Sequence, residues 1–174
     1  MGLRKGKCYR RIKRAYTRRS KFKIKSFIKT IPPTKIVKYD MGTSTKKFPY
    51  KISLISKDDI QLRQNALESV RLVVNRKLHT KIGPFNYHLK IEVYPHHVLR
   101  ENKMLTGAHA DRMQTGMQLS FGKPVGLAAQ VRKGQKVITA DVDKRHVEIA
   151  KEIIKSSYSR LPGHFGIEVR QVAF

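Results

Sequence analysis

Residues 1–51 of this chain hold 18 Lys and Arg against one acid, Asp40, and the first 25 residues hold no acid at all. Cations this dense repel one another and leave no wide apolar face. The opening segment therefore cannot build a core of its own. The remaining residues carry 20 basic and 11 acidic side chains, so about two-thirds of a net charge of +26 lies at one end of a 174-residue chain. Such a charge calls for a polyanionic partner, and nucleic acid is the commonest. With 40% hydrophobic residues the rest of the chain has enough apolar material for a core.

The candidate RNA-binding residues of the opening segment are Arg4, Lys5, Lys7, Arg10, Arg11, Lys13, Arg14, Arg18, Arg19, Lys21, Lys23 and Lys25, interleaved with Tyr9 and Tyr16. Neutralising phosphates releases counterions and supplies affinity. Aromatic rings among the cations suit stacking on unpaired bases of folded RNA. A bare basic tail or an address label is the blander reading, but twelve cations with three aromatics, Phe22 included, is long for either. The segment is expected to stay unfolded until RNA arrives.

Other polyanions and chemistries fit less well. No run approaches the roughly 20 apolar residues of a membrane span, and no secretory signal is readable. The single cysteine, Cys8, forbids an intrachain disulfide and points to the cytoplasm. No Cys pair stands with the His residues at zinc-finger spacing, and no metal or other cofactor is expected.

Past Pro32-Pro33 the pattern predicts a single α+β domain over 35–174, with residues 1–34 as a basic extension. Lys35–Asp40 and Tyr50–Ile55 are expected strands. Ser56 and Asp59 resemble a capping box, opening a helix of about five turns in which Ile60, Leu67, Val70, Val74 and Leu78 share a face and which Gly83-Pro84 ends. Residues 86–94 alternate as a half-buried strand, with His88 on the polar side. Val125–Val131 and Lys136–Val142 read as a hairpin about Lys133-Gly134. Asp143 is expected to cap a second helix carrying Val147, Ala150, Ile154 and Tyr158, and Ile167–Val172 closes the chain. The resulting architecture is a two-layer sandwich, a mainly antiparallel sheet with two helices on it.

A long polar connection, about residues 101–118, is expected to protrude and to reach a partner. A short helix over Ala108–Thr115 is the alternative. Its chemistry is not catalytic. Gly116 and Gly122-Lys123 have the wrong spacing for a phosphate-binding loop, and Pro124 stands where a hydroxyl would be needed. His109 and Asp111 have no identifiable nucleophile. His96 and His97, adjacent in an extended run, point to opposite faces and do not form a metal pair.

Four motifs together carry a resemblance: Met1-Gly2-Leu3-Arg4 through Cys8-Tyr9-Arg10, HLKIEVYPHHVLRENKML at 88–105, ADRMQTGM at 110–117 and FGKPVG at 121–126. The chain resembles, over essentially its whole length, the large-subunit ribosomal proteins called L-ten-e in archaea and eukaryotes, counterparts of bacterial L-sixteen. The resemblance implies a structural, non-enzymatic protein on large-subunit rRNA near the central protuberance and the tRNA path, at one copy per ribosome. It also implies neighbouring ribosomal proteins as partners, tRNA as a transient one, and no membrane. Its loop would be directed toward the peptidyl-transferase region, with Lys103, His109, Arg112, Gln114 and Lys123 as the tRNA-facing residues. The absence of a longer tail after the final strand looks archaeal. Gln118 and Gln130 stand where many relatives carry a basic residue, so phosphate contacts are not carried over to them. Two other classes compete with this reading. An RNA-modifying enzyme would need a cofactor loop or nucleophile that is not readable. A DNA packager would leave the loop and the four motifs unexplained.

Overall fold

The computed structural model describes residues 4–12, 28, 30–102 and 122–172. In chain order its main elements are strand β1 (Asp40–Gly42), β2 (Tyr50–Ser56), β3 (Ile60–Arg63), helix α1 (Gln64–Ile82), β4 (Tyr87–Ile91), β5 (His97–Glu101), β6 (Lys123–Val131), β7 (Lys136–Val142), α2 (Val147–Lys155) and β8 (Phe165–Gln171). The fold is the expected α+β sandwich, but its strands divide between two sheets. One has the order β1-β4-β7-β2-β8, the other β3-β6-β5. Every strand pair is antiparallel.

Periodicity explains the core. On the five-stranded sheet, Leu89, Ala140 and Ile52 lie in register across β4, β7 and β2, and all three are buried. Alternate residues of a strand share a face, so these three define the face that the helices cover. Helix α1 sets Leu67, Val70, Val74, Leu78 and Ile82 into the core, and α2 contributes Ala150, Ile153 and Ile154. Helix α2 meets β2, β7 and β8, whereas α1 meets β4 and also β3 and β6 of the smaller sheet. A single cluster of buried side chains consequently includes Leu62 and Ala129 of the small sheet as well as the large one.

Five expectations need correction. Ile60 is not on the first helix: Ile60 and Leu62 are buried and pair with Val131 and Ala129 of β6, so the chain runs as a strand until Arg63. Asp59 caps nothing on α1, because its Oδ1 accepts from the Lys133 backbone N–H at 2.8 Å. Nor do β6 and β7 form a hairpin. The turn at 132–135, tightened by Gly134 at φ +82, passes the chain from the small sheet to the large one. There β7 needs a neighbour on each side, since Val137, Ile138, Thr139, Ala140 and Val142 are all buried. Asp143 gives its carboxylate to Lys46 Nζ at 2.8 Å rather than to a helix end, and α2 begins at Val147.

The fifth correction is the run from Lys35, expected as a strand, where pairing begins only at Asp40. The Lys35 and Ile36 amides donate to the side chains of Gln64 and Thr34 instead of to a neighbouring strand. The last strand falls close to expectation, at Phe165–Gln171.

Candidate RNA interface

The first described residues lie on the small sheet. Gly6–Tyr9 form one 3₁₀ turn, and Tyr9 is 3% exposed, packed with Leu99 of β5 and Ala128 of β6. The backbone that follows runs along β3, the edge strand. The Gln61 N–H donates to the Arg10 carbonyl at 2.9 Å, and Gln61 Nε2 donates to the Tyr9 carbonyl at 2.7 Å. Gln130 Nε2 lies 3.4 Å from both the Ile12 carbonyl and Gln61 Oε1. Arg63 Nη1 donates to the Arg4 carbonyl at 2.9 Å. Gly6 keeps this approach open, since a Cβ there would stand 3.1 Å from Arg63 Nη2. An edge strand whose amides would otherwise be unpaired is thus covered from within the chain.

This anchoring corrects the expectation for Tyr9. Its ring is enclosed by protein and offers no face to a base. Burial, helped by the nearby Glu101 charge, pushes its phenol above the ordinary value, against the opposing influence of Arg4. The cations around it are exposed, namely Arg4, whose guanidinium bonds the Tyr9 side chain, and Lys5, Lys7, Arg10 and Arg11. The segment is therefore folded onto the domain at least as far as Ile12, rather than unfolded throughout. Lys13, Arg14, Tyr16, Arg18, Arg19, Lys21, Lys23 and Lys25 lie outside the described residues.

The long connection leaves from the same sheet. Strands β5 and β6 pair antiparallel with Glu101 opposite Lys123, so the chain departs and returns at adjacent points. Gly122 makes that closure feasible: it sits at φ +100, and a Cβ would come within 2.8 Å of the Glu101 backbone. Lys123, expected within the loop, is instead the exposed first residue of β6 at the loop's stem. Arg100 of the stem is buried, and that burial lowers its pKa from the usual guanidinium value. Lys103, His109, Arg112 and Gln114 lie outside the described residues.

The outer face of the large sheet has a different character. His88, expected on the polar side of its strand, is half-buried between Asp141, 3.4 Å from Nδ1, and Asp40, 3.5 Å from Nε2. Lys51 stands beside Asp141 and Arg170 beside Glu168. On this face cations and carboxylates largely neutralise each other, whereas Lys5, Lys7, Arg10 and Arg11 form no ion pair among the described residues. No three His, Cys, Asp or Glu side chains converge on a metal-sized site among those residues. His96 is exposed and His97 half-buried. No described helix is long and apolar enough to cross a membrane.

Sequence reasoning missed the residues that fix the arm. Gln61 left one signal, a polar side chain between the two core residues Ile60 and Leu62. Gln130 left another, as the uncharged departure already noted; its amide reaches backbone, where a guanidinium would have projected a charge.

A basic strip and the stem of a long connection, set together on one small sheet, give the surface that a polyanionic partner such as RNA requires of a binding protein. Comparison with known proteins makes this specific: residues 12–168 match the family described as ribosomal protein L16p/L10e. A protein of Methanococcus aeolicus named large ribosomal subunit protein uL16 is 50% identical over 163 residues, covering 93% of this chain and 91% of the relative. Proteins of the same name from Methanospirillum hungatei and Methanococcus maripaludis are each 45% identical, over 161 and 163 residues. The chain belongs to the L16p/L10e family of ribosomal proteins, in its archaeal branch, a family of structural constituents of the large subunit.

Proposed function

We propose that the chain binds large-subunit rRNA near the central protuberance, beside the tRNA path, with its long loop directed toward the peptidyl-transferase region. One copy serves each particle, neighbouring ribosomal proteins flank it, and tRNA meets the loop transiently. The observation that carries this reading is that the docked basic segment and the stem of the loop share one sheet. Tyr9 touches both stem strands, and Arg4 lies within electrostatic reach of Glu101 at the loop's base. An RNA surface that engages the basic segment is thereby held next to whatever the loop reaches.

Radical probing tests the arrangement. Iron–EDTA tethered at Lys7→Cys or at Lys123→Cys, each in a Cys8→Ser background, would be assembled into large subunits and triggered. Overlapping rRNA cleavage sets from the two positions, with tRNA cleaved from position 123, are expected. Disjoint rRNA sets, or cleavage of no rRNA at all, would defeat the proposal. A second test replaces residues 103–121 by a short Gly-Ser linker. Binding to rRNA should persist while protection of tRNA is lost.

A further inference from the structure

A groove of about 620 Å³ opens between β1, an edge strand of the large sheet, and the C-terminal half of α1. Asn75 and His79, one helical turn apart and so on the same face, line one side. Val37, Lys38 and β1 line the other, and Pro84 and Phe85 close the end. The Phe85 side of the groove is built to stay in place. Gly83 ends the helix at φ +91, Pro84 fixes the next φ, and Asn86 Nδ2 donates back to the Ile82 carbonyl at 3.0 Å. This rigid turn leaves Phe85 76% exposed, and Val37 across the groove is 74% exposed.

Scattered apolar residues on a surface are ordinary, but two on the rim of one groove are not scattered. The polar atoms between them are placed rather than loose. The Tyr87 hydroxyl donates to Asn75 Oδ1 at 2.8 Å, which leaves the Asn75 amide nitrogen as the donor facing the groove's contents. Of the charged lining residues, Arg71 is taken up by Glu68 and Asp40 stands beside His88. Lys38 has no ion pair among the described residues. The helix end contributes carbonyl partial charges, which repel a phosphate seated directly on it and favour a group bearing donors. A flat aromatic platform, one unspent cation at the opposite rim, and hydrogen-bonding groups between them match a nucleotide. An apolar peptide would meet too many polar atoms here.

We propose that this groove takes one unstacked nucleotide of the rRNA, its base laid on Phe85 and its phosphate met by Lys38. This rests on the reading of the chain as an rRNA-binding protein and adds a second, separate contact on the large sheet, away from the basic segment.

The test measures affinity of the full chain for purified large-subunit rRNA across a salt series, for wild type, Phe85→Ala, Phe85→Trp and Lys38→Ala. Base stacking on an aromatic side chain predicts a roughly 5- to 150-fold loss for Phe85→Ala with an unchanged salt slope. Phe85→Trp, which keeps a ring, should bind within about twofold of wild type. Lys38→Ala should flatten the salt slope by about 0.7–0.9, one phosphate's worth. Ultraviolet crosslinking of wild type should place a nucleotide adduct at Phe85, in the tryptic peptide covering residues 82–90. Unchanged affinity for Phe85→Ala with native thermal stability, and no adduct in that peptide, would overturn the proposal. So would intact rRNA affinity with failed entry into reconstituted subunits, which would assign the groove to a protein neighbour. If wild type itself failed to bind rRNA, the broader reading would fall and not this site alone.

Discussion

Replacing Tyr9 by Ala separates two ways in which a basic segment contributes to RNA binding, by its charge and by being held in place. The ring is almost wholly enclosed, and truncating a buried aromatic costs about 3–5 kcal/mol in a well-formed core. Its cluster is small, Leu99 and Ala128 with Cys8 beside them, so the low end, about 3 kcal/mol, is the appropriate figure. That shifts the balance between docked and detached segment by a factor on the order of 10². Apparent affinity falls as the binding-competent fraction falls. Binding to rRNA should therefore weaken by up to about 100-fold. The number of phosphates neutralised at saturation does not change, so the slope of log affinity against log salt should stay at the wild-type value. Filter binding at four or five salt concentrations measures both quantities, and hydrogen exchange at the Gln61 amide, bonded to the Arg10 carbonyl, reports detachment independently. If Tyr9→Ala exposed that amide but left rRNA affinity unchanged, preorganisation would play no part. If affinity fell while that amide stayed protected, the ring would be acting through RNA contact, and if the slope fell as it does when cations are removed, phosphate contacts would have been lost; either result would refute the reasoning.

The other predictions use the same structure. Arg10→Gln with Arg11→Gln should reduce the salt slope by about 1.4–1.8 and weaken all RNA sequences alike; loss for one sequence only would contradict a phosphate role. Gly122→Ala should lower thermal stability, by roughly 1–3 kcal/mol, because a left-handed residue there also collides with the Glu101 backbone; an unchanged melting temperature would contradict that reading of the loop stem. The Arg71 hydrogen bonds hold the Glu68 carboxyl below its ordinary 4.5. A depressed carboxylate contributes stability above its unfolded value and loses it as pH falls through the folded one. Glu68→Gln should accordingly cost stability at pH 7 and progressively less as pH falls below the ordinary carboxylate range, checked by urea denaturation across a pH series.

Much of this was legible in the sequence, and the misses have physical causes. Leu67, Val70, Val74 and Leu78 recur at a period only a helix satisfies, and residues 87–93 alternate as only a half-buried strand does. Ile60 fits either pattern, and what decides is a partner 71 residues away, Val131, which local periodicity cannot see. The same blindness joined β6 to β7: turn chemistry at Lys133-Gly134 is identical whether the chain folds back on its own sheet or crosses to another. Asp59 and Asp143 look like helix caps because short carboxylates accept from any nearby donor, and here the donors are Lys133 and Lys46. The charge of the opening segment was plain, but its attachment was not. Tyr9 reads as one aromatic among cations, and only the cluster formed with Leu99 and Ala128 shows it to be an anchor. Gln61 and Gln130, which hold the backbone beside it, carry no charge or motif to draw notice.

The central claim, that this chain is an rRNA-bound constituent of the large subunit, is tested most directly by sedimentation of the native protein from cell lysate through a high-salt sucrose gradient. The account predicts recovery with the large subunit at about one copy per particle, resistant to salt because a docked segment and a loop engage the RNA together. Recovery only in free or DNA-bound fractions would contradict it.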